Sequence, residues 1–510
     1  MIRLLARSLL ERPRRTALFL LGYALGVAVV TVLLSVGEAV LNEARDKDLL
    51  GGGDVVLLPV GMDVEALKVG GATALYHRIS GLRFLVRSVL TSPRVAGQVA
   101  AVCPRLVGQQ VYLVARGRVT PVLAVGTVPS RERAVLAGWS WPDSFADAPE
   151  ERRLLSPTPE EALREMDHFH LPPEAPGLRG AAARERGWVE WHYFEVFEPA
   201  TGRFAYLSFQ VLGDWRAGEA LGVVSVQLGR VGGPLRRAVG TAGGARVRAS
   251  LERPDLEMGA GRVRLVGSRY RVSFAVPGAS GEVEFVPGAG QSFTSGEVHG
   301  DSGFVTGYAV PFVRGAARGE IRGPGGPWRF RGAVGYHDHN WGVWRDVRWN
   351  WGKVSGDSLS LVYGQILEGG WSQPGFAVLF APGGLVGVFR PDRVTTVFGD
   401  RRVRTPAGEA RLPDAVRLAA AAGERDSLRV DIRVEGGAAT VLPGAPRPDA
   451  ARLRRAAHVF LQLRGSYRVR AILDGIPYRV EGPGPLEVWA PLAQAGAPAR
   501  GARSRSAGSR

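Results

Sequence analysis

Alternation between apolar and polar residues dominates the sequence from Trp188 onwards. Within short segments, apolar side chains recur at every second position, the period that places them on one face of a β-strand. Glycine and proline separate these segments at intervals typical of tight turns. The segments are 203–212, 245–251, 262–276, 281–286, 358–367, 376–381, 427–434 and 466–479. The pattern predicts a mainly β fold built from antiparallel strands.

The even spacing of the segments, with tight turns between them, favours antiparallel barrels or sandwiches. Closing a sheet into a barrel removes its exposed edges and leaves an interior that can hold a ligand. The chain is long enough for two barrels of about eight strands each. The last segment, 491–510, is rich in Ser, Arg and Gly, a composition typical of a disordered tail.

The N-terminal part contains one long apolar run, Thr16–Val36, without a charged side chain. At about 1.5 Å per residue, a helix of this length crosses a hydrocarbon core of roughly 30 Å. Arginines precede the run and acidic residues follow it from Glu38, so the positive-inside rule predicts a cytoplasmic N-terminus. Residues 1–40 are therefore interpreted as a single-pass anchor in the cytoplasmic (inner) membrane. A cleaved signal peptide is the alternative, because Gly37–Ala39 resembles a cleavage site.

Short helix and strand patterns follow the anchor and predict a small extracytoplasmic α+β domain at 41–145. Its clearest elements are a helix at 81–90 and two strands within 111–128 that meet at a turn containing Gly117.

The segment 146–184 is rich in Glu, Arg, Pro and Ala and is interpreted as a linker with a short helix at 159–166. His168 and His170 lie in this segment and are interpreted as surface histidines. A lid over the following domain is the alternative for them.

The net charge of +17 does not predict nucleic-acid binding. Arginines are spread along the chain, and no basic helix, zinc knuckle or RNA-binding motif accompanies them. Cys103 is the only cysteine, which excludes an intrachain disulfide.

Titratable and aromatic residues are densest at 331–344. In an extended strand they fall on two faces, with Tyr336, Asp338 and Asn340 on one and His337, His339 and Trp341 on the other. A carboxyl group held between a phenol and an amide on an inward face has a raised pKa unless a cation lies close. These are the properties of a general acid. A satisfied buried network that only joins strands is the alternative.

Two histidines on one face, His337 and His339, could also bind a metal ion. No third His, Cys or carboxylate occurs at a recognisable spacing from them. The sequence therefore predicts no metal site and no cofactor.

The run Gly335–Gly342 resembles the signature of the carotenoid 1,2-hydratase (hydroxyneurosporene synthase) and AttH-like family of lipocalin-type proteins. Trp188–Phe194 resembles the Glu-Trp-Trp-Tyr pattern of the family's first strand, with His192 in place of the second Trp. Gly307–Ile321 resembles the strands that lead into the signature. The likeness extends over about 185–490 and implies two consecutive lipocalin-like antiparallel β-barrels, which we place at 185–345 and 346–490.

The resemblance implies a protein that binds an apolar lipid or isoprenoid without a cofactor. It also implies Asp338 and Tyr336 as catalytic residues of a carotenoid 1,2-hydratase-like hydro-lyase, cyclase or isomerase, with Asp338 as general acid. The candidate substrate-binding residues are His337, His339, Asn340, Trp341, Trp344, Trp191 and His192. Four tryptophans follow one another closely, Trp341, Trp344, Trp349 and Trp351. If they line a cavity, their ring faces could stabilise a carbocation, and core or rim packing is the alternative. The sequence leaves open whether turnover occurs.

The N-terminal part has a resemblance of its own. Arg12–Thr16, the long helix, Leu50–Asp54 and Ala124–Pro129 resemble the beginning of permease subunits of ABC exporters that act on lipoproteins and macrolides. Those permeases have further transmembrane helices, whereas this sequence shows no second apolar run. The resemblance implies a permease-derived anchor, and the alternative function is a non-catalytic lipid-binding module that works beside ABC exporter subunits.

We predict that the chain crosses the membrane once, with its bulk outside the cytoplasm. Protease added to intact spheroplasts should digest most of the protein, since only 16–36 is long and free of charge. Survival of the C-terminal part, or release of a soluble fragment that begins near Val40, would contradict this topology.

Overall fold

The computed structural model describes most of the chain. The described residues are 13–49, 53–57, 79–136, 158–172, 188–300, 303–323, 326–343, 347–368, 371–372, 375–405, 408–439 and 458–492. They fall into two compact units, one formed by 1–78 and 100–151 and the other by 79–99 and 152–510.

The first unit contains a long helix and a β-hairpin. Its elements are the helix Pro13–Leu49, strand β1 (Arg105–Ala115), strand β2 (Arg118–Thr127) and the helix Pro129–Val135. The hairpin turn has positive φ angles at Arg116 and Gly117, as a type I′ turn requires, which confirms the turn expected there. Pro13–Ala39 is long and apolar enough to span a membrane, and a signal sequence would meet the same criteria.

The helix Ile79–Thr91 belongs to the second unit, although the sequence pattern placed it in the small N-terminal domain. Beyond its end, the Ser92 hydroxyl donates a hydrogen bond to the Leu385 carbonyl at 2.8 Å. Arg94 forms ion pairs with Asp426 and Asp474 at 2.8 and 2.7 Å. These polar contacts fasten the segment to the second of two large sheets.

The first sheet covers 188–343 and has 12 antiparallel strands in the described part of the chain. They are β3 (Trp188–Glu198), β4 (Arg203–Leu212), β5 (Leu221–Arg230), β6 (Arg236–Gly243), β7 (Arg248–Ala249), β8 (Leu256–Met258), β9 (Gly261–Val266), β10 (Arg269–Val276), β11 (Ala279–Pro287), β12 (Phe293–Gly300), β13 (Gly303–Gly323) and β14 (Gly326–Val343). The order is β6-β5-β4-β3-β14-β13-β11-β10-β9-β8-β7, and β12 pairs with β13. The sheet curls until Gly240 of β6 lies against Val276 of β10. A Cβ atom added to Gly240 would lie 2.7 Å from Val276 Cγ1.

The second sheet covers 347–491 and has 10 strands in the described residues. They are β15 (Val347–Ser355), β16 (Ser360–Glu368), β17 (Trp371–Ser372), β18 (Phe376–Ala381), β19 (Gly384–Phe389), β20 (Thr395–Thr405), β21 (Gly408–Ala422), β22 (Asp426–Ala439), β23 (His458–Leu473) and β24 (Ile476–Pro491). The order is β19-β18-β16-β15-β24-β23-β22-β21-β20, and β17 pairs with β16. Each sheet encloses its own buried apolar core. The structure thus confirms the predicted mainly β fold with two lipocalin-like barrels.

A third apolar cluster joins the two sheets. Its buried members are Val189, Trp191, Tyr193, Phe204, Tyr206, Val310, Val313 and Tyr336 from the first sheet with Val362, Val378 and Phe380 from the second. Polar contacts cross the same boundary: Lys353 forms a buried ion pair with Glu195, and Arg464 donates to the Tyr206 hydroxyl at 3.1 Å. The two sheets therefore form one continuous packed body.

Part of the expected linker is buried in the first sheet. The helix Pro159–Met166 begins with a capping box between Thr158 and Glu161, as the sequence indicates. Asp167 and Phe169 beyond it are fully buried, and Phe169 belongs to the core of the first sheet. The segment 158–172 is thus part of the β body and not a free connector.

Two other expectations have a different outcome. The strand expected at 245–251 is mostly replaced by the 3₁₀ turn Gly244–Arg246, and only Arg248–Ala249 is extended. The tail at 493–510 and Trp344 lie outside the described residues.

We predict that Glu195→Gln destabilises the protein more than Lys353→Met. Glu195 faces two buried cations, Lys353 and the Arg464 guanidinium, which lies 3.8 Å away. Removing the carboxylate leaves both cations unpaired, at a cost of about 3–5 kcal/mol. Removing Lys353 leaves Glu195 with Arg464, so it should cost less.

Chemical denaturation of the purified full chain would measure both values. The double variant should recover part of the loss caused by Glu195→Gln. Equal destabilisation by the two single variants would show that Arg464 does not share the charge of Glu195.

Candidate functional site

Strand β14 separates two polar clusters. It lies in the middle of the first sheet and pairs with β3 on one side and β13 on the other. His337 stacks on Phe194 inside the first sheet, with ring centroids 3.9 Å apart. Tyr336 belongs to the apolar cluster shared with the second sheet. The face of β14 that carries Asp338 is thus turned to the second sheet. The sequence analysis expected this face to point inward, but the histidine face points into the interior of the first sheet instead.

A small cavity lies where Asp338 meets the second sheet. Its volume is about 20 Å³, enough for about one water molecule. The first sheet lines it with Trp191, Thr306, Tyr308, Asp338 and Asn340, and the second with Trp349, Trp351, Ile366 and Glu487. The lining combines aromatic rings with two carboxyl groups.

Asp338 is held in this cavity by hydrogen bonds. Its side chain is 4% exposed, and the Asn340 amide donates to its Oδ1 at 2.6 Å. The Tyr336 hydroxyl also hydrogen-bonds to it, and in turn accepts from Trp351 Nε1 at 3.2 Å. Burial and the nearby Glu487 raise the pKa of Asp338 well above its ordinary value, although the hydrogen bonds from Tyr336 and Asn340 oppose the shift. The surroundings of Asp338 therefore favour its neutral, protonated form.

Glu487 is the second carboxyl group of the cavity. Burial raises its pKa to about 7, although hydrogen bonds from Trp349 and Gln462 act in the opposite direction. The Trp349 indole donates at 2.8 Å and the Gln462 amide at 3.3 Å. A carboxyl group with this pKa can both give and accept a proton near neutrality.

The histidine face of β14 carries the second cluster. His337, His339, His192 and Asp167 are fully buried there. The Asp167 carboxylate accepts from the Tyr270 hydroxyl at 2.6 Å, lies 3.0 Å from His337 Nε2 and lies 2.9 Å from His339 Nδ1.

The charges in this cluster differ from those around Asp338. Burial by itself would raise the pKa of Asp167, but His337 and His192 outweigh it and hold that pKa well below its ordinary value. Burial lowers the pKa of His192 well below its usual range. Burial would also lower the pKa of His339, but the adjacent carboxylates of Asp167 and Glu190 raise it to about 9. The cluster therefore holds ionised carboxylates at neutral pH.

The site residues predicted from the sequence lie on two opposite faces of the first sheet. Tyr336 contacts the cavity residues Asp338 and Trp351, and Asn340 and Trp191 line the cavity itself. His192, His337 and His339 lie on the opposite face of the sheet, as does Trp341, whose ring stacks on His170 at 4.1 Å.

Several residues of the cavity lie outside the site predicted from the sequence. Glu487 reaches the cavity from β24 and Tyr308 from β13, the neighbour of β14, and no local pattern marks either as a cavity residue. Trp349 and Trp351 belong to the tryptophan cluster for which a cavity-lining role was one of two interpretations. Asp167 precedes the His-Phe-His motif at 168–170, which was the one available signal for it.

Comparison of the sequence with protein-family models gave no match, and comparison with curated proteins gave none either. Among solved structures, a Nitrosomonas europaea protein assigned as AttH has 18% identity and a TM-score of 0.43, covering 63% of this chain and 100% of its own. CghA with Sch210972 has 14% identity and a TM-score of 0.43, covering 66% and 96%. Kievitone hydratase of Nectria haematococca has 11% identity and a TM-score of 0.42, covering 64% and 98%.

These likenesses give no support to the permease resemblance of the N-terminal part. Because function depends on the site and not on the fold, the proposal below rests on the geometry around Asp338.

We predict that Glu487 makes stability fall as pH rises. Its pKa is about 7 in the folded state against about 4.5 when exposed. Its contribution to the free energy of unfolding is therefore complete below about pH 4.5 and is lost as pH rises through 7. The loss is on the order of 3 kcal/mol. Glu487→Gln cannot ionise and should lack this part of the pH dependence.

Denaturant unfolding of the full chain between about pH 5 and pH 8 would measure the effect. Glu481→Gln changes an exposed residue on the same strand and should follow the wild-type curve. Parallel curves for wild type and Glu487→Gln would contradict the raised pKa.

Proposed function

We propose that the chain binds an apolar isoprenoid or lipid between its two sheets and that Asp338 donates a proton to it. The observation that carries this proposal is a buried carboxyl group with a raised pKa in a cavity lined by aromatic rings. The corresponding reaction class is cofactor-free hydration, cyclisation or isomerisation of an alkene.

The mechanism begins with proton transfer from Asp338 to an alkene carbon. The π electrons form the new C–H bond, and positive charge develops on the neighbouring carbon. Trp191, Tyr308 and Trp351 line the cavity, and their rings would stabilise this cation through cation–π attraction. Their stacking and edge contacts, such as Tyr308 with Trp351 at 5.4 Å between centroids, fix the rings beforehand.

Capture of the cation completes the cycle. In hydration, a water oxygen attacks the cation and the proton that it releases returns to the carboxylate pair. Glu487, whose pKa is about 7, accepts this proton and passes it on to Asp338, which becomes an acid again. The net reaction adds one water across one double bond and regenerates Asp338.

A volume of about 20 Å³ holds one water but no isoprenoid, so the cavity must widen when any such ligand enters. Binding without turnover is the second candidate, and the hydrogen bonds of Asp338 with Tyr336 and Asn340 favour it. In this case Asp338 only joins a hydrogen-bond network, as part of a lipid-binding module. Association with ABC exporter subunits rests on the N-terminal sequence resemblance alone.

The membrane location is part of the proposal. The helix Pro13–Ala39 would anchor the chain in the cytoplasmic membrane with its N-terminus inside, following the distribution of charges around it. An apolar substrate partitions into the bilayer, so an anchored protein meets it at high local concentration.

We predict that Asp338→Asn abolishes transfer of solvent-derived hydrogen to carbon. The substitution keeps the shape and most hydrogen bonds but removes the acid, so the rate should fall by roughly 10²- to 10⁴-fold. The full chain would be incubated in D₂O with a panel of isoprenoid alkenes, and deuterium in the products measured by mass spectrometry. This readout detects hydration, cyclisation and isomerisation alike.

Asp357→Asn is the matched control, because the Asp357 side chain is 98% exposed. It should leave deuterium incorporation unchanged. Full incorporation by Asp338→Asn would contradict the catalytic role. Alkene binding by both proteins without incorporation by either would support the second candidate.

A further inference from the structure

We propose that Asp167, His192 and His339 bind one divalent transition metal ion, which fastens the segment 158–172 into the first sheet. This inference is independent of the proposed function, because the cluster lies on the face of β14 opposite to Asp338. It reverses the expectation from the sequence, in which His337 and His339 lacked further ligands.

The three side chains converge as metal ligands do. One donor atom from each lies within 4.8 Å of the others, and all three residues are fully buried. Asp167 Oδ1 lies 2.9 Å from His339 Nδ1 and 3.7 Å from His192 Nδ1. A tetrahedral ion with bonds of about 2.0–2.1 Å separates its ligand atoms by about 3.3 Å. The observed distances lie on either side of that value.

Unpartnered polar atoms point to a missing ligand. Among the described residues, Asp167 Oδ1, His192 Nε2 and both ring nitrogens of His339 are buried without a hydrogen bond of acceptable geometry. His339 Nδ1 and Asp167 Oδ1 are close, yet they are not aligned as donor and acceptor. Leaving such atoms unsatisfied in a protein interior is costly. A shared metal ion would satisfy Asp167 Oδ1 and His339 Nδ1, with His192 Nδ1, which lies 3.3 Å from His337 Nε2, as the third donor.

Surrounding residues hold the donors in place. Asp167 Oδ2 accepts from the Tyr270 hydroxyl at 2.6 Å and lies 3.0 Å from His337 Nε2, so Oδ1 is the oxygen left for an ion. His337 Nδ1 lies 3.0 Å from the Tyr193 carbonyl, which fixes its ring. Glu190 Oε1 lies 3.0 Å from His339 Nε2, the position of the outer carboxylate in many histidine metal sites.

The donor set selects the class of ion. Two imidazoles and one carboxylate are used by zinc and by non-haem iron, whereas calcium and magnesium prefer oxygen ligands. Phe169 packs against His192 and His339, with centroids at 4.8 and 5.1 Å, and closes the cluster from the segment side. A sealed site that joins the segment, β3 and β14 has a structural role, so the bound ion should stabilise the fold.

The experiment uses the full chain without a histidine tag, stripped with a chelator and dialysed against Zn²⁺, Co²⁺ or anaerobic Fe²⁺. Elemental analysis should find about one ion per chain, and the thermal midpoint should rise with metal concentration. Co²⁺ should give the d–d absorption of a site with nitrogen and oxygen ligands.

Variants locate the ion. Asp167→Asn and His192→Gln should lose stoichiometric metal, and Tyr270→Phe should weaken binding by about 10- to 100-fold through the outer hydrogen bond. His168→Gln is the matched control, because His168 lies next to Asp167 in sequence but outside the three-residue group. It should bind metal like the wild type.

The outcomes separate clearly. A folded wild-type chain that binds none of the three ions would overturn the proposal, whether or not the variants fold. Equal metal content in wild type, Asp167→Asn and His192→Gln would also overturn it, because the ion would then bind elsewhere. An affinity for the ion that is about 10- to 100-fold lower in Tyr270→Phe, with the variant still folded, would support it.

Discussion

Side chains of a β-strand alternate between its two faces, and on β14 this alternation supports two different polar clusters. Between Ala333 and Val343 no residue of β14 is exposed, because one face lies inside the first sheet and the other packs against the second. Asp338 faces the second sheet, while His337 and His339 face the interior of the first. A shift of one residue in the pairing with β3 would exchange the two sets. The register of this one strand therefore determines the chemistry of both sites.

The two buried aspartates, Asp338 and Asp167, differ in the form that their surroundings favour. Asp338 is surrounded by aromatic rings and a second carboxyl group, so its neutral form is favoured. Asp167 is surrounded by imidazoles, so its charged form is favoured in spite of burial. The same side chain becomes an acid in one place and a candidate ligand in the other because of its neighbours. The ion pair of Lys353 with Glu195 shows a third solution, in which two buried charges compensate each other across the sheets.

Sequence periodicity was sufficient for the fold class and for the two faces of β14, because both depend on local alternation. It also predicted the helix Pro159–Met166 and the β1–β2 turn at Gly117. It did not predict that Asp167 is buried, since a polar segment between domains has the composition of a linker. It also did not predict Glu487, which follows β14 by more than a hundred residues and reaches Asp338 only through packing of the two sheets. Contacts between distant strands leave no local pattern in a sequence.

Proton donation by Asp338 requires that its carboxyl group be protonated at neutral pH. Infrared difference spectra of the wild type against Asp338→Asn at neutral pH measure this proton, because the C=O stretch of a protonated carboxylic acid is separate from the carboxylate bands. We expect a carboxylic acid band that is present in the wild type and absent from the variant. A difference spectrum that shows only carboxylate bands would mean that Asp338 is ionised, and would contradict its role as a proton donor.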